Sequence, residues 1–119
     1  MVVDDNENAA QILGMLLRAL GNEVRTAYDG LSAIEMGSEF QPDAILLDIG
    51  MPKLNGYETA RRIRQLSWGK RTVLAALTGL GQEEDKRRSR EAGFDHHFVK
   101  PVEPWVLQRF LAECQPNSS

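Results

Sequence analysis

Ala44-Ile45-Leu46-Leu47-Asp48 is a wholly apolar run closed by a carboxylate. A strand with one wet face alternates apolar and polar residues; an unbroken run of this length reads as a strand buried on both faces, the signature of a parallel sheet covered by helices. Thr72–Leu77 repeats the pattern downstream, Phe94–Val99 supplies a further strand, Val24–Ala27 a short edge-like one, and Val2-Val3 the end of a first. Helical spacing fills the gaps. Ala9, Ile12, Leu13, Leu16, Leu17 and Leu20 form one stripe, with Gly21 where a C-terminal cap sits. Leu31–Phe40 reads as a helix stopped by Pro42. Tyr57 to Leu66 reads as another, broken near Gly69; Gln82–Ala92 is helical by composition but poor in apolar residues; Pro104–Cys114 is the last. Five βα units with buried strands predict an α/β doubly wound, flavodoxin-like (βα)5 domain, its parallel five-stranded sheet in the order 2-1-3-4-5.

Length and composition agree. The 119 residues suit one domain, here 1–114, followed by a flexible tail over 115–119. A single cysteine, Cys114, excludes an intrachain disulfide and a Cys-rich zinc site. The longest apolar run, Val73–Leu77, is far too short to span a membrane, and the acidic start at Asp4-Asp5 is no secretory signal. The expected location is cytoplasmic. A formal net charge of -3 gives no electrostatic reason to expect nucleic acid as a partner.

In a parallel sheet all strand C-termini share one edge, and the crevice for a ligand opens there. Asp4 and Asp5 follow the first strand, Asp48 the third, Thr78 the fourth and Lys100 the fifth. Three carboxylates brought together repel: two unit charges 4 Å apart cost about 4 kcal/mol at an effective dielectric of 20. A divalent cation relieves that cost, and an all-oxygen site suits Mg²⁺ (or Mn²⁺). Lys100 adds a positive charge and Thr78 a hydroxyl donor, which makes the set a phosphoryl-handling constellation in which a carboxylate can itself be the nucleophile. Singly, each residue has a plainer reading: Asp4, Asp5 and Asn6 as a helix cap, Asp48 and Thr78 as turn residues, Lys100 as a solvated lysine. Those readings do not explain why all five fall at crevice-side strand ends. Gly79-Leu80-Gly81 reads as a turn, since no phosphate-loop pattern accompanies it. His96 and His97, adjacent on a strand, point to opposite faces and are poorly placed to share an ion. Trp68 and Trp105 are expected to be partly buried.

Val2-Val3-Asp4-Asp5-Asn6, Leu46-Leu47-Asp48-Ile49-Gly50-Met51-Pro52, Asn55-Gly56-Tyr57-Glu58, Ala76-Leu77-Thr78-Gly79 and Val99-Lys100-Pro101 together resemble the receiver domain of two-component response regulators. The resemblance runs from Val2 to about Leu111. It implies that Asp48 is the phosphoacceptor. Asp5 would bind the metal directly, Asp4 mainly through water, and the Gly50 carbonyl would complete the protein ligands. Lys100 would pair with the phosphoryl group, and Thr78 would donate to it and report its presence. Pro101 would follow a cis peptide bond from Lys100, while Pro52 and Gly56 would shape the loop after Asp48. The family usually has Tyr or Phe at position 97 as a switch partner of Thr78, so His97 is a departure.

The implied partners are a histidine kinase or phosphotransfer domain as donor, and an effector of unknown identity. The protein would catalyse its own phosphorylation and slow dephosphorylation rather than turn over a substrate. Gly93 to Pro104 resembles receivers fused to hybrid sensor histidine kinases, and the short first strand suggests a segment of a larger protein or a start placed late. The alternatives are a stand-alone response regulator, a degenerate receiver used only for docking, and a haloacid-dehalogenase-like phosphatase. That phosphatase family needs a second Asp that Asp48-Ile49-Gly50 lacks.

Overall fold

The computed structural model describes residues 1–51, 54–79 and 83–114, the side chains of 83–85 excepted. The expectations for Pro52, for the Leu80-Gly81 part of the turn, for Gln82 and for the tail 115–119 lie outside the described residues. In chain order the elements are β1 (Val2–Val3), α1 (Glu7–Ala19), β2 (Thr26–Ala27), α2 (Gly30–Phe40), β3 (Ala44–Asp48), α3 (Gly56–Gln65), a 3-10 turn (Ser67–Gly69), β4 (Val73–Thr78), α4 (Glu83–Ala92), β5 (His96–Val99) and α5 (Pro104–Glu113). The strands form one parallel sheet in the order β2-β1-β3-β4-β5, as the apolar runs predict.

Register explains how the two faces divide. Thr26, Val2, Leu46, Ala75 and His96 stand in one row across the sheet, and Ala27, Val3, Leu47, Ala76 and His97 in the next. Successive rows point to opposite sides. Val3, Ala27, Ile45, Leu47, Leu74 and Ala76 meet Ala33 of α2, Tyr57, Ala60 and Ile63 of α3, and Ala92 of α4. Val2, Leu46, Ala75 and Leu77 meet Ala10 and Leu17 of α1 and Leu107 and Phe110 of α5. No helix among the described residues is long and apolar enough to cross a membrane.

The helices begin where side-chain oxygens can cap them. Asn6, Asp29 and Asn55 accept from the backbone N–H of Ala9, Ser32 and Glu58 at 3.1, 2.7 and 2.9 Å. Gly21 and Gly93 end α1 and α4 with φ of 96° and 104°, a region that L side chains rarely adopt.

Two expectations need correction. The buried face of α1 is Ala10, Gly14 and Leu17, so Ile12 is 61% exposed rather than part of the seam. Gly14 sets this rotation: a Cβ there would stand 3.3 Å from Thr26 Cγ2, so the helix lies close on β2 at that point. Trp105 is 60% exposed, because it stands on the solvent side of the first turn of α5 and its Nε1 donates to Glu103 Oε2 at 2.9 Å. Trp68 packs against the core as expected.

Ile45 is fully buried in the central strand. Ile45→Ala should destabilise the domain by about 2–5 kcal/mol, the range for a truncation that leaves a cavity. Urea unfolding followed by circular dichroism measures this; a loss below about 1 kcal/mol would show that this face of the sheet is not closely packed against α2 and α3.

Candidate functional site

The parallel register delivers Asp4, Asp48, Thr78 and Lys100 to one edge. Asp48 closes β3, Thr78 closes β4, and Lys100 follows β5, its backbone N–H donating to Thr78 O at 2.7 Å. Behind Asp48 the chain is tightly drawn in. Ile49 N–H donates to Leu77 O at 3.1 Å, and Gly56 lies so close that a Cβ would stand 2.4 Å from Ile49 Cα and 2.5 Å from Asp48 O. Only glycine fits there, which ties the start of α3 directly to the Asp48 loop. The Lys100–Pro101 peptide bond is cis.

Lys100 Nζ stands 2.8 Å from Asp4 Oδ2 and 3.3 Å from Asp48 Oδ2, bridging two carboxylates that are both buried. Asp4 Oδ1 accepts from Asn6 N–H and Asp48 Oδ1 from Gly50 N–H, each at 3.0 Å. Asp5 is exposed. One carboxylate oxygen from each of Asp4, Asp5 and Asp48 lies within 4.8 Å of the others. The helix-capping reading of this stretch belongs to Asn6 alone, which frees both aspartates for the crevice.

Burial is the largest influence on each buried group, and charge decides the outcome differently for each. It pushes the Asp4 carboxyl up, but the Lys100 ammonium and the Asn6 N–H outweigh it and hold Asp4 below the ordinary carboxylate range. For Asp48, burial prevails over the Gly50 N–H and Lys100, and the nearby Asp4 adds to it, so its carboxyl sits above the ordinary range. Burial works against the Lys100 ammonium, yet the two carboxylates raise its pKa above that of a free lysine. The set therefore gathers three carboxyl groups around one ammonium. Hard oxygen donors in this number, one carboxylate open to solvent and two recessed, fit a divalent cation that keeps part of its water.

Thr78 is 5% exposed at the end of β4. His96 and His97 face opposite sides: His96 packs edge-on against Phe110 at 5.1 Å, and His97 Nδ1 lies 3.0 Å from Ser89 Oγ of α4. Sequence reasoning gave Ser89 no role; its one signal is that it is the only uncharged residue between Glu83 and Glu91. Cys114 is far from this chemistry, and burial pushes its thiol up to about 11, which leaves it a packing residue.

Comparison with known proteins places this geometry in a family. The family described as the response regulator receiver domain matches residues 1–112. The sensor histidine kinase RcsC of Salmonella typhimurium is 37% identical over 112 residues, 94% of this chain and 12% of that protein, so the chain spans about an eighth of its length. The chemotaxis protein CheY4 of Vibrio cholerae superposes with a TM-score of 0.90 at 31% identity, covering 96% of this chain and 95% of that one. The receiver domain of sensor histidine kinase PA1611 from Pseudomonas aeruginosa, solved with a magnesium ion coordinated in its active site cleft, superposes with a TM-score of 0.86 at 33% identity over 94% of this chain and 92% of that one. Nothing in these matches supports the phosphatase alternative. A flavodoxin-like sheet, an acidic crevice bridged by a lysine, and a family match over nearly the whole length lead to one conclusion: the chain belongs to the receiver domain family of two-component response regulators.

Proposed function

We propose that this receiver accepts a phosphoryl group on Asp48 from the phosphohistidine of a histidine kinase or phosphotransfer domain. The observation that carries the reading is Lys100 set between Asp4 and Asp48 beside a third carboxylate, Asp5. An Asp48 carboxylate oxygen attacks phosphorus, the phosphorus–nitrogen bond of the donor breaks, and the donor imidazole leaves with its electron pair. Asp5, Asp48 and the Gly50 carbonyl would hold Mg²⁺, with Asp4 acting mainly through water; the ion supplies neutralisation of the phosphoryl oxygens. Lys100 moves its charge from the carboxylates to the incoming group, and the Thr78 hydroxyl donates to it.

Thr78 and His97 are the switch positions, and the face formed by α4, β5 and α5 is the one read by partners. The match to an eighth of a sensor kinase favours a place within a hybrid histidine kinase or larger regulator, on the cytoplasmic side. The near-complete overlap with CheY4 favours the second reading, a stand-alone regulator.

Acetyl phosphate with Mg²⁺ should add the mass of one phosphoryl group to the protein. Asp48→Asn should abolish the addition, and Asp5→Asn should reduce it at least tenfold. Intact-mass spectrometry reads all three; a phosphorylated Asp48→Asn protein would remove Asp48 from the role.

The opposed carboxyl shifts give a second expectation. Asp4, held below its ordinary pKa, adds stability that is present above the unfolded carboxyl range and lost as pH falls through its folded value. Asp48, held above, does the reverse. Stability declines as pH rises from the unfolded toward the folded value. In chelator at pH 7, Asp48→Asn should therefore gain about 1 kcal/mol and Asp4→Asn lose a similar amount, the usual size for a partly buried polar contact. The Asp48→Asn gain should vanish once the pH lies below the unfolded carboxyl range. Urea titrations across pH measure both; the same sign for the two variants at pH 7 would contradict the charge assignment.

A further inference from the structure

We propose that α4 is seated by a two-sided polar clasp, Arg88 on Tyr57 of α3 and Ser89 on His97 of β5, and that opening this clasp is how phosphorylation of Asp48 moves the helix. The second half rests on the phosphoacceptor reading above; the first stands on the geometry alone.

An amphipathic helix packed on a sheet normally carries three or four apolar residues per two turns. Among the described side chains of α4, residues 86–92, only Ser89 and Ala92 are buried. A hydroxyl and a methyl cannot seat a helix by apolar burial. Two directed contacts stand in their place. The Arg88 guanidinium carbon lies 4.4 Å from the centre of the Tyr57 ring, itself 5% exposed. Ser89, 1% exposed, has its Oγ 3.0 Å from His97 Nδ1. Neighbouring residues on a helix point about 100° apart, so consecutive side chains grip elements on two sides.

The lower end of the helix is fixed separately. Gly93 N–H donates to Arg90 O at 3.1 Å and Phe94 N–H to Ser89 O at 3.0 Å. Arg64 of α3 donates through Nε to Gly93 O at 2.9 Å and through Nη2 to Asp95 Oδ2 at 2.7 Å. The upper end leads back to Thr78 at the crevice. The helix is thus anchored below, clasped at mid-length, and joined above to the residue that meets the phosphoryl group. His97 stands two rows below Thr78 in the sheet, opposite Ala76. The Ser89–His97 hydrogen bond is partly buried and Ser89 itself is 1% exposed, so a hydroxyl that leaves His97 loses a net-favourable bond, and the helix is held toward its seated position.

Ser89→Ala, Arg88→Met, His97→Phe and the Ser89→Ala/His97→Phe double variant test this, with amide hydrogen exchange read in the unmodified protein and the affinity for beryllofluoride read by NMR titration in Mg²⁺. Ser89→Ala should speed exchange of the α4 amides about fivefold while leaving β3 and β4 unchanged, and should tighten beryllofluoride binding about fivefold, because the bound state no longer has to break a net-favourable hydrogen bond. Arg88→Met should act in the same direction by about twofold. In the His97→Phe background, Ser89→Ala should add nothing further. Uniformly faster exchange with unchanged beryllofluoride affinity would make Ser89 a purely structural residue and overturn the proposal, as would full additivity in the double variant. Should Ser89→Ala fail to fold, Arg88→Met and His97→Phe carry the same comparison. Wild-type protein that takes up neither beryllofluoride nor acetyl phosphate would count against the phosphoacceptor reading and against clasp opening by phosphorylation; the exchange data still decide whether the clasp seats α4.

Discussion

Lys100, 2.8 Å from Asp4 and 3.3 Å from Asp48, is the contact on which the crevice depends. Two carboxylates this deeply placed repel each other and lose hydration, and a single ammonium compensates both only if it stands between them. The parallel sheet makes that arrangement possible. It brings the ends of β1, β3 and β5 to one edge, and the backbone bond from Lys100 N–H to Thr78 O fixes where the lysine leaves the sheet. The compensation is incomplete: Asp4 is satisfied and Asp48 is held above its ordinary range. A carboxylate that is under-compensated at rest is one that gains from an incoming cation.

Much of this was legible in residue order. Ala44–Leu47 and Thr72–Leu77 signal a sheet covered on both faces because no other surroundings suit uninterrupted apolar strands. The crevice residues were legible because strand ends in a parallel sheet share an edge, whatever their separation in sequence. The orientation of α1 was not, because it hangs on how closely Gly14 approaches Thr26, a contact between elements. Nor was the division of Lys100 between its two carboxylates, which is a matter of half an ångström. Ser89 escaped notice because a serine amid charges carries meaning only once β5 is in register opposite β4 and His97 is turned toward α4.

Charge is arranged differently at the opposite end of the sheet. Arg64 donates to Gly69 O at 3.0 Å, Thr72 O at 2.6 Å and Gly93 O at 2.9 Å, and meets Asp95 at 2.7 Å. Asp95 in turn accepts from Leu74 N–H at 2.9 Å. One guanidinium therefore satisfies three carbonyls from two connections at once, a task suited to its fixed fork of donors. The domain has one end where charges are in tension and another where they are fully engaged.

The outermost strands of the sheet are short, two residues in β2 and four in β5. An edge strand offers unpaired backbone groups along its length, and a long flat one is a template on which further chains can build. Edges of two and four residues hold too few such groups to recruit a neighbour. The domain can thus be held at high local concentration beside copies of itself, or carried within a longer chain, without seeding intermolecular sheet.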